Sequence, residues 1–253
     1  MDQTMNITAS NFHIDKPLAL PPKEVHLWRV DLEALTGNEL RWNEVLSPDE
    51  LKRSARFHFP RDRQHFVASR ALLRTILASY LDKHPARLNF LYSKKEKPSL
   101  DLAEGSGVTF NVSHSAGIAL MAFARGREVG VDIEQVRPDV DLEAIARRFF
   151  SPNEQNELAA LPADEKTEAF FRCWTRKEAY IKATGAGLSH PLRQFDVALA
   201  PAESSALLAT RPDASEAGRW LLRDVPGGVG YIAALCARGK DWELTDWSEN
   251  RAL

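Results

Sequence analysis

The side chains best suited to chemistry lie in two stretches of this chain, residues 110–134 and 171–185. The first stretch contains Ser113 and His114 and, about twenty residues later, Asp132 and Glu134. Alternate side chains of a strand share a face, so the two carboxylates would point the same way and repel each other unless a cation lies between them. A hard divalent ion such as Mg²⁺ is the obvious occupant. A surface strand with two solvated acids would show the same pattern, so both interpretations stay open.

The second stretch offers Glu178 and Lys182, which are four residues apart and share one face of a predicted helix. Such a pair often means no more than a surface ion pair. Ser113 and His114 also have a plain structural interpretation, as polar side chains that satisfy backbone groups at a strand end. Taken one at a time, these motifs do not establish a function.

A basic segment precedes both stretches. Residues 49–74 contain seven Lys or Arg against three acids, and the cations are Lys52, Arg53, Arg56, Arg61, Arg63, Arg70 and Arg74. Arginine clusters suit phosphates because each guanidinium offers a fork of donors. A solvated helix face is the alternative.

Composition limits the class of protein. The chain has 253 residues, enough for one large domain or two smaller halves, with 44% hydrophobic and 27% charged residues as in ordinary globular proteins. A net charge of −2 argues against a generally nucleic-acid-binding surface. Two cysteines are too few for a disulfide framework, and no apolar run approaches the ~20 residues of a bilayer span. We therefore expect a cytoplasmic protein with neither a membrane nor a nucleic-acid partner.

Periodicity and turn signals predict a mixture of strands and helices. Strands are expected at 25–30, 88–92, 108–112, 195–199, 220–225 and 229–235, and segments 118–124 and 128–133 are expected to form a hairpin. Helices are expected at 62–81, 141–150, 152–161 and 166–184, with a further helix starting at Ser47. Segment 201–218 is predicted to be a loop, and the final residues give no signal.

The sequence also contains an internal repeat of a short motif. The S-P-x-E motif at Ser47 recurs at Ser151, 104 positions later, and each copy precedes a long predicted helix. Local capping chemistry alone could produce this repeat. If it reflects duplication, two similar α+β halves, 25–126 and 127–253, follow a loosely ordered lead-in, 1–24, and a cleft lies between them.

The motifs taken together are more specific than any one of them. NVSHS, GVDIE and W-x-x-K-E-A-x-x-K, at these separations, resemble the 4′-phosphopantetheinyl transferases of the larger, pseudo-dimeric Sfp-type class. The resemblance extends from SPDE to GAGLSHPLRQFDV and covers roughly residues 25–235. It implies an α+β fold of two halves related by a pseudo-twofold, each a small, mostly antiparallel sheet packed on a long helix. It also implies transfer of the phosphopantetheine arm of coenzyme A to a serine of an apo acyl or peptidyl carrier protein.

The resemblance further implies roles for individual residues. Those that match the family's metal ligands, for Mg²⁺ or Mn²⁺, are Asp132, Glu134 and Glu178. Those that match coenzyme A contacts are Arg53, Lys97, Ser113 and His114, with Arg70 sharing the 3′-phosphate and Lys182 reaching the leaving phosphate. Glu178 and Lys182 are the expected catalytic pair. Glu50 departs from the pattern, because some members carry a lysine there.

Two competing functions remain at this point. A Mg²⁺-dependent nuclease or phosphatase could use the same acids, but it gives the SHS segment no role. A non-catalytic module that binds carrier proteins is the other, and the presence of all three acids and Lys182 counts against it. The motifs do not choose between fatty-acid, polyketide and nonribosomal-peptide carriers, and the resemblance implies a monomer.

Overall fold

The protein is described by a computed structural model that covers residues 7–8, 11–12, 14, 17–35, 39–92, 98–100, 107–186, 191–201 and 205–248. Its helices are α1 (Glu39–Asn43), α2 (Pro48–Ser54), α3 (Pro60–Leu81), α4 (Leu142–Phe149), α5 (Pro152–Ala160) and α6 (Ala163–Ala183). Its strands are β1 (Ile7–Thr8), β2 (Asn11–Phe12), β3 (Glu24–Asp31), β4 (Phe90–Tyr92), β5 (Pro98–Leu100), β6 (Val108–Ser115), β7 (Ile118–Arg125), β8 (Val129–Gln135), β9 (Phe195–Val197), β10 (Leu207–Thr210), β11 (Trp220–Val225), β12 (Tyr231–Arg238) and β13 (Glu243–Asp246). Among the described residues, no helix combines the length and apolar character that a bilayer span requires.

Helix α3 and a four-stranded sheet form the first part of the fold. The strand order is β13-β3-β7-β6, with β7 antiparallel to both neighbours and β13 parallel to β3. Met121 and Phe123 on one face of β7 share a core with Leu72 and Ile76 of α3. The apolar spacing of segment 62–81 therefore predicted this helix correctly, because that spacing marks the side that packs on the sheet.

Helix α6 and the three-stranded antiparallel sheet β11-β12-β8 form the second part. Val131 and Ile133 of β8 face a core shared with Leu120 of the first sheet, so the two sheets pack face to face. The alternate residues of β8, Asp132 and Glu134, consequently lie on the side of α6. The predicted common face of the two carboxylates is confirmed, and the layers run α3, first sheet, second sheet, α6.

Gly130 allows β8 and α6 to approach each other closely. A Cβ at this position would lie 2.2 Å from the backbone nitrogen of Ala183 and 2.3 Å from the carbonyl oxygen of Ala179. Real Cβ atoms essentially never come within 3.0 Å of such atoms. Any side chain here would therefore push the helix that bears Glu178 away from the strand that bears Asp132.

We expect Gly130→Ala to lower the free energy of unfolding by about 3 kcal/mol, because backbone on both sides of the new methyl group must move. Urea denaturation of the full chain measures this. Gly218→Ala is the matched control, since a Cβ there would meet nothing within 4 Å. Equal midpoints for the two variants would contradict the close approach of β8 and α6.

The predicted hairpin of segments 118–124 and 128–133 is wrong. Both segments are strands, but β7 pairs with β3 and β6 whereas β8 pairs with β12. Gly126, with φ of +69°, lies in the short connection that takes the chain from one sheet to the other. Seven of the eight residues of β7 are buried, and an isolated two-stranded ribbon cannot cover a strand on both faces.

Outside the lead-in, three strands lie in segments where the sequence predicts none, and the first of them is β5, between the predicted strands 88–92 and 108–112. The predicted loop 201–218 contains β10, in which Leu208 is 59% exposed, and the final segment contains β13, which has no fully buried residue. Short edge strands of this kind lack the clean alternation that reveals a half-buried strand. Within the predicted lead-in 1–24, β1 pairs with β2.

The two copies of the S-P-x-E motif make equivalent contacts. Each glutamate accepts a hydrogen bond from the backbone of its own N-cap serine. Glu50 also binds Arg74 of α3 at 2.7 Å, and Glu154 binds Lys177 of α6 at 2.8 Å, with all four side chains at most 1% exposed. These matched ion pairs support the predicted duplication, while the pseudo-twofold itself remains a prediction.

Candidate active site

Asp132, Ser113 and Lys182 meet where β8, β6 and α6 come together. Lys182 Nζ donates to Asp132 Oδ1 at 2.6 Å and to Ser113 Oγ at 2.9 Å, while Ser113 Oγ donates to the same carboxylate oxygen at 2.8 Å. Asp132 and Ser113 are buried. The fold thus brings residues from both predicted stretches into one bonded cluster.

The carboxylate of Asp132 is only partly satisfied by this cluster. Burial raises the pKa of Asp132, and the ammonium of Lys182 opposes that rise. Oδ2 is buried and has no hydrogen-bond partner among the described residues. Because an unpaired buried oxygen is costly, Oδ2 is suited to a cation or donor that comes from outside the chain.

Glu134 and Glu178 add two further carboxylates to the site. Burial raises the pKa of Glu134, as does the charge of Asp132, and Ser115 Oγ donates to Glu134 Oε2 at 3.0 Å. Burial also raises the pKa of Glu178 to about 7, with Asp132 and Glu134 adding to the shift and Lys182 opposing it. A carboxyl group that titrates near neutral pH is well matched to accepting a proton.

The three acids suit a hard divalent cation by donor type. As their side chains stand, however, no group of three or more His, Cys, Asp or Glu in the described ranges is arranged to hold a metal ion. Lys182 binds the Oδ1 oxygen of Asp132, so the ammonium provides the positive charge nearest to that acid. The unpartnered Oδ2 and the mutual repulsion of the acids are what a divalent cation would relieve, and the donor set fits one on that basis.

Arg53 and Arg70 form a basic side of the site. Each guanidinium carbon lies 5.6 Å from the ring centroid of Phe66. Arg70 Nε is 3.5 Å from Glu50 Oε1, whereas its Nη1 is buried without a hydrogen-bond partner among the described residues. Arg70 therefore retains a donor for an anion.

His114 lies between the acids and the basic side. Its Nε2 is 2.6 Å from Ser69 Oγ. Desolvation of the imidazole by the surrounding protein, together with the positive charges of Lys182 and Arg70, lowers the pKa of His114 to about 4. The imidazole is accordingly neutral at physiological pH.

A cleft of about 610 Å³ opens beside these groups. His114, Ser115 and Gln135 line it from β6 and β8, while the wall formed by α3 includes His65 and Phe66. The cleft therefore runs from α3 to the end of β8, next to Glu134.

Comparison with known proteins identifies the family. Residues 37–125 match the family model "4'-phosphopantetheinyl transferase, N-terminal", and residues 128–236 match the "4'-phosphopantetheinyl transferase superfamily". The chain is 41% identical to the 4'-phosphopantetheinyl transferase HetI of Nostoc sp. over 91% of this chain and 94% of that protein. The chain belongs to the 4′-phosphopantetheinyl transferase family.

A more distant relative extends this comparison. The transferase is 30% identical to the 4'-phosphopantetheinyl transferase Sfp of Bacillus subtilis over 80% of this chain and 86% of that protein. A solved structure of Thermotoga maritima holo-[acyl-carrier-protein] synthase has a TM-score of 0.35 and 20% identity, over 45% of this chain and 63% of that chain. The predictions of an Sfp-type resemblance, an α+β fold and an enzyme are confirmed.

Two buried cations to which the sequence assigned no role hold α6 of this transferase in place. Lys177 Nζ binds Glu154 and also donates to two carbonyl oxygens of the 192–195 segment, at 2.7 and 2.8 Å. Arg176 binds Asp224 through two nitrogens, at 2.8 and 2.7 Å. A signal was available, because Lys177 continues the helical spacing of the buried Cys173.

Two further cations that the sequence predicted as phosphate ligands, Arg61 and Arg74, form ion pairs within the protein. Arg74 is paired with Glu50. A buried ion pair therefore accounts for the glutamate at position 50, where the resemblance implied a lysine in some members. Arg61 is paired with Glu33, so a second positive charge of the basic segment, residues 49–74, is balanced by an acid. Lys97 lies outside the described residues, and its role stays a prediction.

Proposed function

We propose that this transferase moves the 4′-phosphopantetheine group of coenzyme A onto a serine hydroxyl of an apo acyl or peptidyl carrier protein and releases adenosine 3′,5′-bisphosphate. The observation that carries the proposal is the convergence of Glu178, Asp132 and Lys182 near His114, which lines the cleft, and near Arg70, whose positive charge acts on His114. Glu178 can accept a proton, Asp132 is a buried carboxylate bound by the ammonium of Lys182, and Arg70 and His114 can bind phosphate. In-line phosphoryl transfer requires a proton acceptor and charged groups of this kind.

The chain's own groups then have distinct tasks. The serine oxygen bonds to the β-phosphorus of coenzyme A as the bond to the bridging oxygen breaks, and Glu178 takes the serine proton. In the metal-free site burial raises the pKa of Glu178 to about 7, and this environment, which favours the protonated carboxyl, supports that role. Lys182 supplies positive charge to the departing bisphosphate. We assign the coenzyme A contacts to Arg53, Arg70, Lys97, Ser113, His114 and Lys182.

We assign Asp132, Glu134 and Glu178 as the residues that would hold Mg²⁺ or Mn²⁺. When bound, such an ion neutralises charge on the pyrophosphate. The orphaned Oδ2 of Asp132 and the raised pKa of Glu178 support this assignment.

We further infer that the halves 25–126 and 127–253 follow a lead-in of residues 1–24 and build the active site between them. The boundary between the two family models, at residues 125 and 128, supports this division, as do the matched Glu50 and Glu154 ion pairs. In this proposal the pseudo-dimer acts as a cytoplasmic monomer, with coenzyme A and a carrier protein as its partners and neither nucleic acid nor membrane.

Incubation with coenzyme A, Mg²⁺ and an apo carrier protein, followed by mass spectrometry of the carrier, tests the function. We expect the carrier to gain one phosphopantetheine. A carrier whose target serine is replaced by alanine should gain nothing. Cleavage of coenzyme A without a change in carrier mass would instead indicate a hydrolase, and carrier binding without any chemistry would indicate a non-catalytic module.

His114→Ala should weaken coenzyme A binding about tenfold, because a donor or acceptor to a charged phosphate is lost. Isothermal titration calorimetry with coenzyme A measures the change. His84→Ala is the control, since His84 follows the far end of α3 and its Nδ1 accepts from the Ala86 amide. Coenzyme A affinity that stays at the wild-type value would remove His114 from the binding site.

A further inference from the structure

One face of β6 joins the two sheets through side chains. The residues on this face are two apart in sequence, and each bonds β8 or the connection before it: Thr109, Asn111, Ser113 and Ser115. Thr109 Oγ1 donates to the carbonyl oxygen of Arg127 at 2.5 Å, and Asn111 Oδ1 accepts from the Val131 amide at 2.9 Å. Because β6 and β8 belong to different sheets, these side chains set the position of one strand along the other.

Ser115 makes the last and most complete of these connections. Its hydroxyl donates to Glu134 Oε2 at 3.0 Å and accepts from the Gln135 amide at 3.0 Å. One oxygen therefore restrains both the side chain of Glu134 and the backbone that follows it. Ser115 has no assigned role in the function proposed above, although it lines the cleft.

Glu134 needs such restraint more than Asp132 does. Asp132 is buried and bound by Ser113 and Lys182. Glu134 is half-buried near the end of β8, and its side chain has three rotatable bonds. Without a partner, its carboxylate would sample positions that face away from Asp132.

We propose that Ser115 is a positioning residue that holds Glu134 in place for the divalent cation. The proposal rests on the function proposed above. A hydrogen-bond partner that orients a metal ligand typically changes metal affinity by about ten- to a hundredfold. Ser115 would act in this way while the alternate residues of β6 keep the sheets in register.

Mn²⁺ binding by the full chain, measured by electron paramagnetic resonance without coenzyme A, tests the proposal. We expect Ser115→Ala to bind Mn²⁺ about tenfold more weakly than wild type, and Ser115→Thr, which keeps the hydroxyl, to recover most of that loss. Thr109→Val is the matched control. It removes a hydroxyl from the same face of β6 at the end far from the acids, so its Mn²⁺ affinity should equal that of wild type.

Amide hydrogen exchange of Gln135 in the metal-free protein provides a second measurement. Ser115→Ala should accelerate this exchange, and Ser115→Thr should restore its protection. Faster exchange with unchanged Mn²⁺ affinity would show a purely local role for Ser115 and overturn the proposal, as would no change in either measurement. Wild-type protein that modifies the carrier but does not bind Mn²⁺ would also overturn it. Failure of the wild type to modify any carrier would count against the proposed function instead.

Discussion

Glu178→Gln should reduce carrier modification about a thousandfold while making the metal-free protein more stable at pH 8. The loss follows from removing the proposed proton acceptor, an effect typically between about 10² and 10⁴. The gain follows from removing a carboxylate whose ionisation burial and its neighbours Asp132 and Glu134 oppose. A folding defect would lower both properties, so the opposite signs separate a catalytic role from a structural one.

The pH dependence of stability provides the sign test for Glu178. Its pKa rises from 4.5 to about 7 on folding, so between these values the folded state holds the proton more tightly than the unfolded state does. The contribution of Glu178 to the free energy of unfolding is therefore fully present below pH 4.5. It falls by on the order of 2 kcal/mol as the pH rises to 7. Glu178→Gln should remove this part of the pH dependence of the free energy of unfolding.

Urea denaturation in EDTA at pH 5.5 and pH 8, together with mass spectrometry of the carrier, measures both effects. Glu165→Gln, an exposed carboxylate on the same helix, is the control and should change stability by less than about 0.5 kcal/mol. Near-normal turnover in Glu178→Gln would exclude the residue as the proton acceptor. A stability slope equal to that of wild type would exclude the proposed environment of its carboxylate.

Strand alternation and helical spacing predicted those parts of the site that depend on a single strand or helix. The alternation of a strand placed Asp132 and Glu134 on one face, and helical spacing placed Glu178 and Lys182 together on α6. Neither rule states which faces meet. That β8 presents its acids to α6, at the distance Gly130 permits, depends on packing between segments about fifty residues apart.

The wrong strand pairing and the missed ion pair have the same physical origin. The β7–β8 hairpin was inferred from two neighbouring apolar segments and a turn, but strand partners are chosen by which faces can be buried. The bond from Lys182 to Asp132 was also invisible, since Lys182 looked like half of a surface pair with Glu178. Charged residues in a helix carry no local mark that tells a buried ion pair from a solvated one.

Lys177→Met should lower the free energy of unfolding by about 3 to 5 kcal/mol, because it leaves the carboxylate of Glu154 buried without its cation. Burial raises the pKa of Glu154 and Lys177 opposes this, so the variant should bind a proton at Glu154 more readily than wild type. The loss of stability is then smaller at pH 5 than at pH 8, as urea denaturation at the two values would show.

A double-mutant cycle separates the ion pair from the other contacts of Lys177. Lys177→Met combined with Glu154→Gln removes the stranded charge, so its loss should be smaller than the sum of the two single losses. Lys166→Met, on the first turns of the same helix, is the control and should stay within about 0.5 kcal/mol of wild type. Strict additivity would mean that the pair does not couple α6 to α5. Coupling of the expected sign would mean that the residue next to Glu178 fixes the helix from which the proposed proton acceptor projects.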